Sequence, residues 1–84
     1  MSSRKYSAKS EALVYRQFFA LRWQKFITEN FQSPARAALA FNVDPSTAEN
    51  WFAGTNAPQG WVVGRAVEDP DLQGAVIDCL RGKI

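Results

Sequence analysis

The side chains of this chain that could do directional chemistry are concentrated in one short stretch, residues 44–56. The stretch reads DPSTAENWFAGTN and carries hydroxyl, carboxyl and amide groups at Ser46, Thr47, Glu49 and Asn50. Hydroxyls and amides both donate and accept hydrogen bonds, whereas an ionised carboxylate only accepts them. The chemistry available there is the recognition of another molecule through hydrogen bonds.

Composition removes most catalytic and metal chemistry. The 84 residues include no histidine, which is the commonest general base and the commonest metal ligand. The single cysteine, Cys79, excludes an intramolecular disulfide and a cysteine-cluster zinc site. Asp69 and Asp71 flank a proline at a predicted helix start, where capping explains them. We therefore predict that the chain is not an enzyme and takes no metal and no cofactor.

Length and hydropathy indicate one small folded domain. The apolar share of 46% and the charged share of 21% are both close to globular averages. Apolar stretches fall short of the ~20 residues of a membrane span, and the N-terminus lacks the apolar run of a signal peptide. We expect no membrane association and a reduced, cytoplasmic location.

The charges are distributed unevenly along the chain. Residues 1–42 carry seven cations against two carboxylates, a net +5, and residues 43–84 carry three cations against six carboxylates, a net −3. This split favours a basic face suited to a polyanion, although an ordinary solvated surface would also account for it.

Five helices are predicted to position the polar stretch. Caps, prolines and glycines mark their ends. The pattern predicts an all-α fold, a compact bundle of about five helices in a single domain over residues 10–84, preceded by a flexible basic arm over residues 1–9. The predicted helices cover residues 11–31 with Ser10 as N-cap, 34–41 with Ser33 as N-cap, 45–53, 60–67 and about 70–82.

The first helix has two apolar faces, which leaves two interpretations open. Ala12, Tyr15, Phe19, Trp23, Phe26 and Ile27 share the predicted core face, and Trp51 and Trp61 are also expected inside. A second row, Val14, Phe18 and Leu21, lies on nearly the opposite side. Either the C-terminal segment covers this row, or the row forms a homodimer interface together with Leu72, Val76 and Leu80 from the stripe of the last helix.

Residues 34–54 meet the requirements of two short helices that cross closely. Ala38 is small where the second helix must approach, and Asn42 tolerates the positive φ of a tight turn. Val43 fills the corner, and Ala48 and Trp51, spaced i, i+3, point inward from the second helix.

This pattern resembles the helix-turn-helix of phage-repressor-like (Cro-type) DNA-binding domains. Gly54 and Pro58 after Trp51 extend the resemblance, which covers roughly residues 10–67. Two positions depart from the family. Pro34 and Ala35 stand where a glutamine is common, and Asn42 stands where a glycine is common.

The resemblance implies a sequence-specific regulator of transcription, of a phage or mobile-element type, that binds double-stranded DNA as a dimer. The helix at about 45–53 is then the recognition helix in the major groove. Its expected base contacts are Ser46, Thr47, Glu49 and Asn50, with the amide paired to adenine and the carboxylate to cytosine. The expected phosphate contacts are Ser33, Arg36, Thr55 and Asn56, together with Arg4, Lys5 and Lys9 of the arm.

A helical protein-interaction module is the alternative function. A helix-turn-helix scaffold can dock a protein partner, such as the transcription machinery, since a fold does not determine a function. The third predicted helix carries no lysine or arginine, Asp44 precedes it and Glu49 lies within it. This negative charge favours the alternative. The basic N-terminal half opposes it.

Overall fold

The computed structural model describes the backbone of residues 2–82 and the side chains of residues 14–82. This part of the chain is an all-α bundle without strands, which confirms the predicted fold class. Its five helices are α1 (Ser2–Asn30), α2 (Pro34–Phe41), α3 (Pro45–Ala53), α4 (Gly60–Glu68) and α5 (Gln73–Arg81).

Helix α1 begins at Ser2, so the predicted start at about residue 11 is wrong and Ser10 lies inside the helix. Residues 2–30 contain no glycine or proline, and the Ser, Lys, Arg, Ala and Glu residues there interrupt a helix only weakly. The backbone of the predicted basic arm is therefore helical from Ser2 to Lys9. The side chains of Arg4, Lys5, Lys9 and Ala12 lie outside the described residues.

The predicted ends of α2 and α3 are confirmed. The Ser33 hydroxyl accepts a hydrogen bond from the backbone N–H of Arg36 at 3.3 Å, and Pro34 opens α2. Asn42 ends α2 with φ 55° and ψ 52°, in the left-handed region. Helix α3 begins at Pro45 and ends before Gly54, whose φ is 75°.

Helix α5 begins three residues later than predicted. The Asp69 carboxylate accepts a hydrogen bond from the backbone N–H of Asp71 at 2.8 Å, and the Asp69 carbonyl accepts from Leu72 and Gln73. The aspartate and proline that suggested a helix start build a turn instead, and the regular helix follows that turn.

An aromatic cluster forms the centre of the core. Trp23 of α1 lies with its ring centroid 4.8 Å from Phe26, 6.1 Å from Phe41 and 5.6 Å from Trp51. The Trp51 ring meets both Trp23 and Phe41 edge-on, an arrangement that favours the aromatic quadrupoles. Ile27, Val62, Val76 and Cys79 extend the core towards α4 and α5.

Two residues predicted to face inward are exposed, and one residue predicted for a dimer interface is buried. Tyr15 and Trp61 are 49% and 52% exposed, because the core begins one helical turn after Tyr15 and α4 turns Val62 and Ala66 inward instead of Trp61. Val76 is fully buried against the core, so it cannot belong to a dimer interface. Burial raises the pKa of the Cys79 thiol, an effect that nearby Arg22 partly offsets, as expected of an inert packing residue.

The second apolar row of α1 is uncovered. Val14, Phe18 and Leu21 are each about half exposed, so the prediction that the C-terminal segment covers them is wrong. Helix α5 packs against α1 without covering this row, and Gly82 at its C-terminal end lies against the Arg22 side chain. Leu72 and Leu80 are half-buried at the edge of this packing.

The two tryptophans of the third and fourth helices should differ sharply in their effect on stability. Trp51→Ala should lower the free energy of unfolding by about 3–5 kcal/mol, since it opens a cavity in the aromatic cluster. Trp61→Ala is the matched control and should change it by less than about 1 kcal/mol, because half of that ring is already in water. Urea unfolding followed by circular dichroism compares them. Equal losses would contradict the position of Trp51 at the centre of the core.

Candidate nucleic-acid interface

A three-residue turn, residues 42–44, joins α2 to α3. Ala38 and Ala48 are buried where the two helices meet, and their small side chains permit a close approach. Trp51 is 1% exposed and Val43 is partly buried against the core. The structure thus brings together all five residues that the sequence predicted for the corner, including Asn42 with its positive φ.

Helix α1 holds the C-terminal end of α3. The Gln24 side-chain amide donates a hydrogen bond to the backbone carbonyl of Phe52 at 2.8 Å. Next to Phe52, Gly54 has no Cβ atom, and a Cβ there would lie 2.8 Å from Gln24 Oε1. Glycine at this position therefore leaves room for the Gln24 side chain. Sequence reasoning missed Gln24, although it occupies an inward position of α1, one turn before the buried Ile27 and next to Trp23.

The outward face of α3 is polar and continuous. Ser46, Glu49, Asn50 and Ala53 are exposed, and their i, i+3, i+4, i+7 spacing places them in one stripe. The stripe lies opposite Ala48 and Trp51, which anchor the helix. Three of the four predicted base-contact side chains therefore share one free face.

The fourth predicted base contact, Thr47, is half-buried at the edge of this face. It lines an open groove of about 510 Å³ together with Asn56 and Trp61. The Trp61 indole N–H donates to Gln59 Oε1 at 2.9 Å, which holds the exposed ring beside the groove. Sequence reasoning missed the exposed position of Trp61. The i, i+4 spacing of Val62 and Ala66 already indicates that these two residues form the inward face of α4 and that Trp61 lies beside it.

The residues predicted to contact phosphate occupy two places. Ser33 and Arg36 lie at the start of α2, where the side chain of Arg36 is exposed and the positive end of the helix dipole favours an anion. Thr55 and Asn56 are exposed in the loop after α3, and the Thr55 hydroxyl donates to the Asn50 carbonyl at 3.2 Å. Arg4, Lys5 and Lys9, also predicted for this role, have side chains outside the described residues.

A further cation, Arg16 of α1, lines a second open groove beside Thr55 and Asn56. Sequence reasoning did not assign it a role. Helix α3 itself carries no lysine or arginine, and Asp44 and Glu49 make its own charge negative. Positive charge for a polyanion must therefore come from other helices, where Arg16 lies beside the loop after α3 and Arg36 lies at the start of α2.

Comparison with protein-family models, with curated proteins and with solved structures finds no significant match for this chain. Over residues 14–82, no three His, Cys, Asp or Glu side chains group to hold a metal ion. No helix of the described part is long and apolar enough to cross a membrane.

The contact between Gln24 and Gly54 should be measurable as a difference between two glycine substitutions. Gly54→Ala should lower the free energy of unfolding by about 1–3 kcal/mol, because it combines a positive φ with a clash against Gln24. Gly64→Ala in α4 meets nothing within 4 Å and should raise it by about 0.4–1 kcal/mol. Thermal unfolding of both variants gives the comparison, and a neutral Gly54→Ala would contradict the close approach.

Proposed function

We propose that this chain is a DNA-binding regulator of transcription that inserts α3 into the major groove of double-stranded DNA. The observation that supports this most strongly is the outward stripe of α3, Ser46, Glu49 and Asn50, on a helix anchored from behind by Ala48 and Trp51. An exposed helix of this width fits the major groove, where base edges present distinct hydrogen-bonding patterns. The corner of α2 and α3 then serves as the helix-turn-helix.

Each side chain of the stripe has a role in this proposal. The Asn50 amide pairs with the N6 and N7 positions of an adenine, and the Glu49 carboxylate accepts from the N4 amino group of a cytosine. Ser46, nearest the start of α3, reaches a base or a phosphate. Thr47 lies at the edge of the α3 face, in the protein groove that Trp61 also lines. The Thr47 methyl group can contact the methyl group of a thymine.

Phosphate contacts at two places set the position of α3. The start of α2 supplies Arg36 and the Ser33 hydroxyl, whereas the loop after α3 supplies Thr55 and Asn56. Arg16 adds charge beside that loop. A single copy makes few such contacts and binds weakly at physiological salt, so the proposal includes a dimer on two half-sites about 34 Å apart.

A protein-interaction module remains the second candidate function. Leu39 on α2 is 84% exposed, and α3 is acidic, which is unusual for a helix that approaches phosphates. A partner such as the transcription machinery would use these features without DNA. The salt dependence of binding distinguishes the two functions, because the affinity for DNA falls steeply as the salt concentration rises. As a regulator of transcription, the chain is proposed to act in the cytoplasm.

Substitutions on α3 and α2 should affect DNA binding in different ways. Asn50→Ala should cost about 1–3 kcal/mol at one base position and relax the preference there. Arg36→Ala should weaken binding evenly across sequences and lower the salt slope by about one. Arg81→Ala, an exposed arginine of α5, is the control and should leave binding unchanged. Fluorescence anisotropy with site variants at several salt concentrations tests this; binding untouched by either substitution would contradict the proposed groove contacts.

Fluorescence of Trp61 should report the bound state. Trp23 and Trp51 are fully buried, so iodide quenches Trp61 selectively in the folded protein. Trp61 lines the protein groove next to Thr47, so DNA bound around α3 should shield its ring from iodide. The quenching constant should therefore fall by about half or more when the protein is saturated with DNA. Trp61→Phe should remove the change without preventing binding. Unaltered quenching at saturating DNA would place the ligand elsewhere.

A further inference from the structure

The last turn of α3 is held from α1 by one side-chain hydrogen bond. The Gln24 side chain donates from Nε2 to the backbone carbonyl of Phe52 at 2.8 Å. Carbonyls in the last turn of a helix have no amide donor further along the same helix. Gln24 supplies such a donor from a residue 28 positions earlier in the chain.

A second contact fixes the plane of the Gln24 amide. A Cβ atom on Gly54 would lie 2.8 Å from Oε1, 2.9 Å from Cδ and 3.1 Å from Nε2 of Gln24. Because these three distances are nearly equal, the amide lies with its face against the Gly54 backbone. Gly54 also has a φ of 75°, so a residue with a side chain would be strained there for two reasons. The Gln24 amide is therefore held in two directions, by the Phe52 carbonyl and by Gly54.

The turn that Gln24 contacts connects the proposed base contact to the proposed phosphate contacts. The backbone N–H groups of Gly54 and Thr55 both donate to the carbonyl of Asn50, the latter at 3.1 Å. Asn50 is the proposed contact to adenine, and Thr55 and Asn56 follow directly after the turn. A movement of this turn would shift the Asn50 side chain relative to the phosphate contacts. Recognition of base edges tolerates a displacement of only about 0.5 Å.

The fold of α3 itself does not depend on Gln24. Ala48 and Trp51 are buried on the inner side of α3, and Trp51 packs against Trp23 with ring centroids 5.6 Å apart. Loss of the Gln24 donor leaves these contacts in place and releases only the end of the helix. The position of the last turn and the stability of the core are therefore separable.

We propose that Gln24 is a positioning residue that sets the base preference of α3 from behind, without a contact to DNA. The contact stands on the hydrogen bond and on Gly54, whereas its effect on base preference rests on the proposed function. Part of the sequence specificity is then determined by α1, outside the helix that enters the major groove.

Binding of Gln24→Met to DNA tests this role. Methionine keeps the length of the side chain and removes the donor. The ratio of affinities for sites with and without the preferred adenine should fall by about fivefold, the equivalent of one net hydrogen bond. The affinity for random DNA and its salt slope should stay at the wild-type values, because the phosphate contacts remain. Fluorescence anisotropy with sites that the wild-type protein selects gives both quantities.

Gln73→Met is the matched control for the loss of a hydrogen bond. The Gln73 side chain of α5 donates from Nε2 to the backbone carbonyl of Val67 in α4 at 3.1 Å, so the variant loses the same kind of bond away from α3. Its adenine preference should equal that of the wild type. An equal loss of preference in both variants would show a general effect of stability and would overturn the positioning role.

Amide hydrogen exchange tests the contact without DNA. In Gln24→Met, the amides of Gly54 and Thr55 should exchange about fivefold faster, since the end of α3 opens more often. The amide of Ala48, which donates to the Asp44 carbonyl at the start of α3, should keep its rate. Unchanged exchange at Gly54 and Thr55, or an equal increase at all three amides, would overturn the proposal.

The two measurements distinguish a failure of this inference from a failure of the proposed function. A wild-type protein that selects a DNA site, with the same adenine preference in Gln24→Met, would overturn the role of Gln24 and retain the proposed function. A wild-type protein that selects no DNA sequence would remove the proposed function and the role of Gln24 in recognition together, even with faster exchange in the variant.

Discussion

The packing of Trp51 against Trp23 and Phe41 is the interaction on which the rest of the structure depends. Trp51 contributes its ring from α3, Trp23 from α1 and Phe41 from the end of α2, so one cluster joins the three helices around the corner. The Trp23 indole N–H is buried without a hydrogen-bond partner among the described residues, a cost of about 1–3 kcal/mol. The aromatic packing must offset that cost to hold α3 in place.

This anchoring explains why the outer side of α3 is exposed. Alanine at both Ala38 and Ala48 lets α2 approach α3, and Gln24 ties the far end of α3 to α1. A helix held on its inner side and at its end presents outer side chains in a fixed arrangement, which recognition of base edges requires. In the proposal, this rigidity supplies specificity, while cations on α1 and α2 and a second copy supply the affinity that an acidic helix lacks.

The sequence predicts the corner well because its signals are local. Ser33, Pro34, Asn42 and Gly54 each act within one turn of the backbone, and the structure has them in the predicted roles. The errors arise where distant packing decides. No glycine or proline lies near the start of α1, so the sequence pattern alone could not show where this helix begins. Trp61 lies outside because α4 buries Val62 and Ala66 in the core instead. Val14, Phe18 and Leu21 of α1 stay exposed although α5 packs against the same helix.

The central claim is that the outer stripe of α3 reads base sequence. Selection of bound duplexes from a random DNA pool, performed in parallel with the wild-type protein and Asn50→Ala, tests it most directly. The account predicts enrichment of a two-fold symmetric site whose half-sites each fix an adenine, with that adenine preference lost in the variant. Failure of the wild-type protein to enrich any sequence, or the same site with the same adenine preference from both proteins, would contradict it.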